Sequence, residues 1–320
     1  MESLSSPLQF AIQLISATSA TSLVRNTAPT TLRRASSIPT RNFAIINPSV
    51  MSDKKNDIVL VPRPSQERGH SNYEWLKTFH TFSFADHYDP EHSSFGCLRV
   101  INEDRVEPKT GFGTHPHREF EIFSYVVSGE LEHNDSLGNT EVLKRGDIQM
   151  TSTGTGIRHS EHTHGEKQVH FLQIWSKPSQ SGLKPTYYTR HFTDEEKKDN
   201  FLRVVAPASA PGISLEREAP GPAPVHSPLS LYASLISPGT MLPYALEKTG
   251  ASRKAYIHVV QTSGYNTQRA GGATVRVSAG TREFVLREGD GLYVSGQPGS
   301  HLTIENAGDR VAEVLLFEMV

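Results

Sequence analysis

The sequence predicts an all-β protein built from two β-barrels in tandem, and three observations support this prediction. Short apolar and β-branched segments alternate with glycine, asparagine and aspartate turns, and helical periodicity is weak. The 320 residues suffice for two domains of ordinary size. The turn KRGD at residues 144–147 has a counterpart, REGD, at residues 287–290, and each precedes a predicted strand. We interpret this correspondence as an internal repeat.

The first predicted barrel spans residues 57–190. Its clearest strand, residues 121–127, is β-branched and aromatic and ends at a serine–glycine turn. Further strands are predicted at residues 98–100, 130–133, 140–143, 148–151 and 169–175. Residues 73–84 are rich in aromatic side chains, and we expect them to pack in the core or to form a short helix under the barrel.

A connecting segment, residues 191–228, is rich in proline in its second part and is expected to be a linker or a surface loop. The second predicted barrel, residues 229–320, repeats the rhythm of short strands and glycine turns. Its strands are predicted at residues 231–236, 255–261, 274–277, 282–286, 292–294, 302–304 and 311–317.

Composition excludes several classes of function. No run of 18 apolar residues is present, so a membrane-spanning helix is not expected. Residues 51–320 hold 28 basic and 33 acidic residues, and this acidic balance disfavours direct binding of a nucleic acid. The single cysteine, Cys97, cannot form an intrachain disulfide and is expected to be a small core residue.

The first fifty residues differ from the rest, because they contain four arginines, one acid and many serine, threonine and alanine residues. That composition is typical of a mitochondrial transit peptide, with a possible cleavage site after Phe43. We therefore predict a mitochondrial location directed by residues 1–43. The alternative is a disordered tail, with translation from Met51 giving a protein of the cytoplasm or nucleus.

Four side chains form the most informative pattern in the chain. His115 and His117 lie two residues apart, and so do His159 and Glu161. Alternate side chains of a β-strand point to the same face, so two such strands lining one barrel bring three imidazoles and a carboxylate together. This set of ligands suits a first-row divalent metal. Pro116 cannot donate to a strand ladder, which places its strand at a sheet edge or at a bulge.

The second half has no such pair of histidines, so only the first barrel is predicted to hold a metal. The remaining histidines of the second half, His226, His258 and His301, are scattered and are expected to be surface or core residues. In the first half, His162 and His164 are expected to face solvent, whereas the sequence does not assign a role to His133 or His170.

Residues 111–126 and 154–162 together resemble the pirin family of bicupins, and residues 75–85 and 98–102 look most like its bacterial branch described as quercetin 2,3-dioxygenase. The resemblance extends over residues 57–320 and implies two jelly-roll-type cupin barrels. It also implies that the metal ligands are His115, His117, His159 and Glu161. Many other cupins use the glutamate four residues after the second histidine, here Glu121, so Glu121 remains an alternative carboxylate ligand.

The resemblance implies a metal-dependent dioxygenase that opens the heterocyclic ring of a flavonol such as quercetin with O2, with Glu161 accepting the substrate's hydroxyl proton. It implies iron as Fe(II), with nickel, copper, manganese or zinc as other possible metals. A small-molecule substrate and O2 are then the expected partners. The alternative function is a non-enzymatic, iron-binding and redox-sensing transcriptional cofactor that acts through a protein partner.

Overall fold

The structure is a computed structural model that describes residues 58–250 and 252–320. Strands dominate it, and the one α-helix of the described residues, α1, is a single turn at Asp194–Lys197. No helix in these residues is long and apolar enough to cross a membrane. The predicted all-β class is therefore confirmed.

Two sheets form the first half. One has seven strands in the order β12-β9-β6-β11-β4-β3-β2, and the other has four in the order β5-β10-β7-β8. The strands are β2 (Gly69–Asn72), β3 (Leu76–His80), β4 (Leu98–Val106), β5 (Gly111–His117), β6 (Glu121–Ser128), β7 (Glu130–Asp135), β8 (Thr140–Lys144), β9 (Asp147–Ser152), β10 (Ile157–Thr163), β11 (Val169–Ser176) and β12 (Thr186–His191).

The second half repeats this plan. Its seven-stranded sheet has the order β1-β20-β17-β22-β15-β13-β14, and its four-stranded sheet has the order β16-β21-β18-β19. The strands are β1 (Val59–Arg63), β13 (Leu202–Pro207), β14 (Ala223–Val225), β15 (Leu229–Ile236), β16 (Met241–Ala245), β17 (Arg253–Val259), β18 (Thr274–Ala279), β19 (Arg282–Arg287), β20 (Gly291–Gly296), β21 (His301–Asn306) and β22 (Ala312–Met319).

The apolar cores explain why the central strands are mainly hydrophobic. Every residue of β22 is buried. Leu315, Phe317 and Met319 join a core shared by the two seven-stranded sheets. The alternate residues Val314 and Leu316 join the core inside the second barrel. Because both faces of such a strand are covered, its sequence loses the polar alternation of a half-exposed strand.

The two corresponding turns have the same geometry, which supports the internal repeat. The backbone N–H of Lys144 donates to Asp147 Oδ2 at 2.8 Å, and that of Arg287 donates to Asp290 Oδ2 at 2.8 Å. Gly146 has φ +92° and Gly289 has φ +87°. Glycine reaches this left-handed region without the steric cost that a side chain adds.

Three segments differ from the sequence-based expectation or add to it. Residues 73–84 pack in the core, as expected, through Phe79, Phe82 and Phe84, but they contain strand β3, which pairs with β4, and no helix. Strand β1 precedes the first half in the chain yet pairs with β20 of the second half. Strands β13 and β14 lie in the connecting segment and extend the second half's sheet. The division at residues 57–190, 191–228 and 229–320 stays a prediction.

The proline-rich segment packs on the first half. Arg190 of β12 donates to the carbonyl oxygens of Ser214, Glu216 and Arg217 at 3.0 to 3.1 Å. The backbone N–H of His226 donates to the buried Glu121 carboxylate at 2.9 Å. The segment thus connects the two halves through hydrogen bonds to buried groups.

Candidate metal centre

Strands β5 and β10 bring the four candidate ligands into the first barrel. His115 pairs directly with His159, and the register shifts between His159 and Glu161. Strand β5 is the edge strand of its sheet, so Pro116 occupies an edge as its chemistry requires. His115, His117, His159 and Glu161 are each at most 3% exposed.

The three imidazoles converge on one point. Their candidate ligand nitrogens all lie within 4.8 Å of one another. His115 Nε2 and His159 Nε2 are 3.2 Å apart. Two nitrogens bound to one metal at about 2.1 Å lie roughly 3.0 to 3.4 Å apart in octahedral or tetrahedral geometry. The observed separation therefore matches two ligands of a common ion.

A hydrogen bond fixes the protonation of His115. Its Nδ1 lies 2.7 Å from the carbonyl oxygen of Gly113, which can only accept, so Nδ1 carries the proton. The Nε2 atom then keeps its lone pair and directs it toward His159. His117 Nδ1 is a buried nitrogen with no hydrogen-bond partner among the described residues. Burial lowers the pKa of His115, His117 and His159, so all three favour the neutral form that binds metals.

A fourth histidine, His133, contacts His159. The two Nδ1 atoms are 3.5 Å apart, and His133 Nε2 lies 3.2 Å from Asp135 Oδ2. Burial by itself would raise the pKa of Asp135, but hydrogen bonds from His133 and Asn139 lower it to about 2. Asp135 therefore accepts a hydrogen bond from His133 Nε2–H, which leaves His133 Nδ1 free to accept from His159 Nδ1–H. His159 Nε2 then carries a lone pair, which faces His115. Sequence analysis left His133 open, although its two-residue spacing from Asp135 was a usable signal.

Glu161 is a buried carboxylate beside these rings. It receives hydrogen bonds from Gln173 Nε2 at 2.6 Å and from Ser124 Oγ at 3.4 Å. Burial raises the pKa of Glu161. Ligand atoms of Glu161, His133 and His159 form a second group within 4.8 Å of one another. The two groups share His159, but Glu161 does not lie within 4.8 Å of the ligand nitrogens of both His115 and His117.

The other glutamates point elsewhere. Glu121 accepts from Ser152 Oγ at 2.6 Å and from the backbone N–H of His226, and it is absent from both groups of ligand atoms found in the described residues. Glu119 has φ +59° and accepts from the backbone N–H of Gly182, so the regular strand alternation ends at His117.

His115, His117 and Glu161 line a pocket. Its volume, counted together with the open space at its mouth, is about 370 Å³. Strands β3 and β4 provide polar side chains that sequence analysis missed, namely Thr78, His80, Asn102 and Asp104. Burial raises the pKa of Asp104 to about 7 and lowers that of His80 to about 4.

The remaining histidines serve other purposes. His162 and His164 are exposed, as expected. His170 and His258 both donate from Nε2 to the buried Glu103, at 3.0 and 3.1 Å, so they belong to the contact between the halves. His226 is half-buried and His301 is exposed. In the described residues, both groups of candidate metal ligands lie in the first half.

Comparison with known proteins identifies the family of the chain. The family model described as Pirin matches residues 62–176. The quercetin 2,3-dioxygenase of Escherichia coli (strain K12) is 37% identical over 259 residues, which cover 80% of this chain and 97% of that protein. A pirin-like protein of Caulobacter vibrioides is 33% identical over 221 residues, which cover 68% of this chain and 90% of that protein.

These comparisons contradict one expectation. The predicted mitochondrial location is wrong, because the relatives that match are bacterial proteins. The residues that suggested it, 1–43, lie outside the described residues.

Solved structures agree with the sequence comparison. The crystal structure of YhhW from Escherichia coli has a TM-score of 0.68 at 33% identity, covering 82% of this chain and 98% of that chain. The structure of bacterial pirin YhhW in complex with nickel(II) has a TM-score of 0.66 at 34% identity, covering 82% and 99%. The tandem cupin architecture is thereby confirmed, and the chain belongs to the pirin family.

Proposed function

We propose that this protein is a metal-dependent dioxygenase that uses His115, His117, His159 and Glu161 to hold a divalent metal and acts on a flavonol. One observation carries the proposal. The hydrogen bonds of His115 and His159 leave two buried lone pairs facing each other at 3.2 Å, an arrangement that repels unless a cation lies between them. The unpartnered Nδ1 of His117 and the buried Glu161 add to the fit.

The names of the relatives suggest the substrate. Several are called quercetin 2,3-dioxygenase, and a flavonol has a hydroxyl next to a carbonyl, which together form a chelating pair. A bound metal ion would act as Lewis acid and template at that pair. In the overall reaction, O2 supplies both inserted oxygen atoms, and the ring opens with loss of carbon monoxide.

The protein's own residues would prepare the substrate. Glu161 would accept the substrate's hydroxyl proton, because burial raises its pKa and makes it a stronger base than an exposed carboxylate. Gln173 and Ser124 hold the Glu161 carboxylate by hydrogen bonds. Phe84, Phe112 and Trp175 line the pocket and would exclude water from a planar substrate.

The test uses the full chain, purified without oxygen and loaded separately with Fe(II) and Ni(II). We expect His117→Ala to lose metal binding and quercetin-dependent O2 uptake. We expect Glu161→Gln to lose O2 uptake while keeping its thermal stability. His162→Ala is the matched control, because His162 lies on the same strand as His159 but is exposed.

Elemental analysis and an oxygen electrode give the two measurements. Wild-type O2 uptake with release of carbon monoxide is the expected result. Turnover that persists in both His117→Ala and Glu161→Gln would remove this mechanism. The alternative of a non-enzymatic transcriptional cofactor gains no support from the relatives, whose names describe dioxygenases or pirin-like proteins.

A further inference from the structure

Three side chains form a polar wall of the pocket. Thr78 and His80 lie on β3 and Asp104 lies on β4, where Thr78 pairs directly with Asp104. All three line the same pocket as His115, His117 and Glu161, and each is at most 4% exposed. The polar wall therefore faces the interior that the candidate metal ligands share.

Each member of the polar wall keeps an atom without a hydrogen-bond partner. His80 Nδ1 lies 2.9 Å from Asn102 Oδ1, which accepts its proton and leaves a lone pair on Nε2. His80 Nε2, Thr78 Oγ1 and Asp104 Oδ1 make no hydrogen bond of normal geometry among the described residues, although the Thr78 hydroxyl is near enough to Asp104 to oppose the rise in its pKa. With Trp175 Nε1 and His117 Nδ1, five of the twenty such atoms in these residues belong to the twelve residues that line this pocket.

Such a concentration indicates a ligand. Buried polar atoms in native proteins are nearly always paired, because leaving one unpaired costs free energy. The interior of the second barrel shows the contrast, since the core there consists of apolar residues such as Val275, Val277 and Ile304.

We propose that the polar wall binds hydroxyl groups on a neutral aromatic substrate whose chelating end lies at the histidines. A hydroxyl can donate to His80 Nε2 and to Asp104 Oδ1, and it can either donate to or accept from Thr78 Oγ1. An anionic group is disfavoured, because the pocket already holds the carboxyl groups of Asp104 and Glu161. The inference rests on the proposed function and adds the groups that select among flavonols.

The test compares two ligands on the nickel-loaded full chain by fluorescence titration. Quercetin carries hydroxyls on its outer rings, whereas 3-hydroxyflavone keeps only the chelating pair. We expect wild-type protein to bind quercetin at least about tenfold more tightly, because a site built to bond a hydroxyl discriminates strongly against its absence. Thr78→Val and Asp104→Asn should each weaken quercetin binding about tenfold and leave 3-hydroxyflavone binding unchanged.

A matched control and a stability measurement complete the design. Ser234→Ala removes another buried, unpartnered hydroxyl, but Ser234 lies on β15 outside the pocket, so binding of both ligands should be unchanged. Thr78→Val should keep the melting temperature of the wild type. If the wild type binds the two ligands with equal affinity, or if the variants lose affinity for both ligands equally, the polar wall does not have this role, but the proposed function is unaffected. Failure of both ligands to bind the wild type overturns the proposed function as well.

Discussion

The His133–Asp135 pair places a buried carboxylate two hydrogen bonds away from the candidate ligand nitrogen of His159. Both side chains are fully buried, and the His133 ring stacks on Tyr187 at 5.0 Å. A histidine that binds a metal needs its other ring nitrogen held by a hydrogen bond, which orients the ring and fixes its tautomer. His133 fulfils that requirement for His159, and the carbonyl of Gly113 fulfils it for His115.

Replacing Asp135 by asparagine should therefore weaken metal binding without removing a ligand. We expect the dissociation constant for nickel(II) to rise about 10- to 100-fold, because loss of such supporting hydrogen bonds has that effect in other metal sites. Competition titration measures the constant, and the absorption spectrum of the cobalt(II)-loaded protein reports altered geometry. Glu132→Gln, on the same strand but paired with the exposed His164, is the control. Wild-type affinity and spectrum in Asp135→Asn would contradict this role.

The residue pattern allowed prediction of the histidine group but not of its surroundings. The histidines share a two-residue spacing that strand geometry converts directly into proximity. The sequence could not decide whether Glu121 or Glu161 is the carboxylate ligand, because uninterrupted strand alternation would direct either side chain into the pocket. The turn at Glu119, which interrupts that alternation, is seen only in the structure. The polar wall was missed because Thr78 and His80 lie on β3, which was not predicted as a strand, and Asp104 lies on a different strand, β4. Polar residues that face a pocket resemble those that face solvent in the sequence.

At the scale of elements, strands with two covered faces were the easiest to predict. Strands β6, β11 and β22 are almost entirely buried, and their sequences are mainly apolar, with a few buried polar residues such as Ser124, His170 and Glu313. Strand β3 was missed, because one of its faces presents Thr78 and His80 to the pocket and breaks the apolar pattern. The pairing of β1 with β20 was also unpredictable, since alternation within a strand does not name its partner.

The close approach of β5 to β10 depends on one glycine. A Cβ added at Gly111 would lie 2.3 Å from the carbonyl oxygen of Glu161 and 2.5 Å from the Cα of His162. We expect Gly111→Ala to lower the free energy of unfolding by about 1 to 3 kcal/mol, because backbone atoms must move to accept the methyl group. Nickel(II) affinity should fall in parallel, since the same displacement shifts Glu161.

Chemical denaturation and metal titration measure the two effects of Gly111→Ala. Gly271→Ala is the matched control, because a Cβ there meets no atom within 4 Å and Gly271 lacks a positive φ. Unchanged stability and affinity in Gly111→Ala would show that the strands can separate freely.

At the scale of the molecule, Glu103 connects the two halves. It lies on β4 of the first half and is fully buried. It accepts from His258 Nε2 at 3.1 Å and from the backbone N–H of Gln261 at 2.7 Å, both in the second half. Arg68 lies 3.4 Å away and supplies a positive charge. The apolar core between the seven-stranded sheets surrounds the same boundary with side chains from both halves.

We expect Glu103→Gln to lower the free energy of unfolding by about 3 to 5 kcal/mol, because it leaves buried partners of the carboxylate uncompensated. Glu166→Gln is the control, since its ion pair with Lys109 is exposed and should change stability by less than about 0.5 kcal/mol. Urea denaturation followed by tryptophan fluorescence gives both values. Equal stability of the two variants would contradict a connecting role for Glu103.

The same carboxylate predicts a pH dependence. Burial by itself would raise the pKa of Glu103, but hydrogen bonds from His170 and His258 and the charge of Arg68 hold it well below its usual range. An unfolded glutamate titrates near about pH 4.3, so the contribution is complete above that pH and is lost as the pH falls toward the folded pKa. The stability difference between wild type and Glu103→Gln should therefore shrink below about pH 4.3. A difference that stays constant from neutral to strongly acidic pH would contradict this assignment.

The position of β1 has a consequence for how the chain is completed. This strand is synthesised before any part of the first barrel, yet its partner β20 begins only at Gly291. Strand β1 therefore cannot pair with β20 until nearly all of the protein has left the ribosome. Strand β1 is the edge strand of the second barrel's seven-stranded sheet, but it precedes the first barrel in the chain. Cutting the chain between the barrels would therefore separate β1 from its sheet and would not yield two intact domains. A fragment of the second barrel should regain its fold only when a peptide carrying the β1 sequence is supplied in trans.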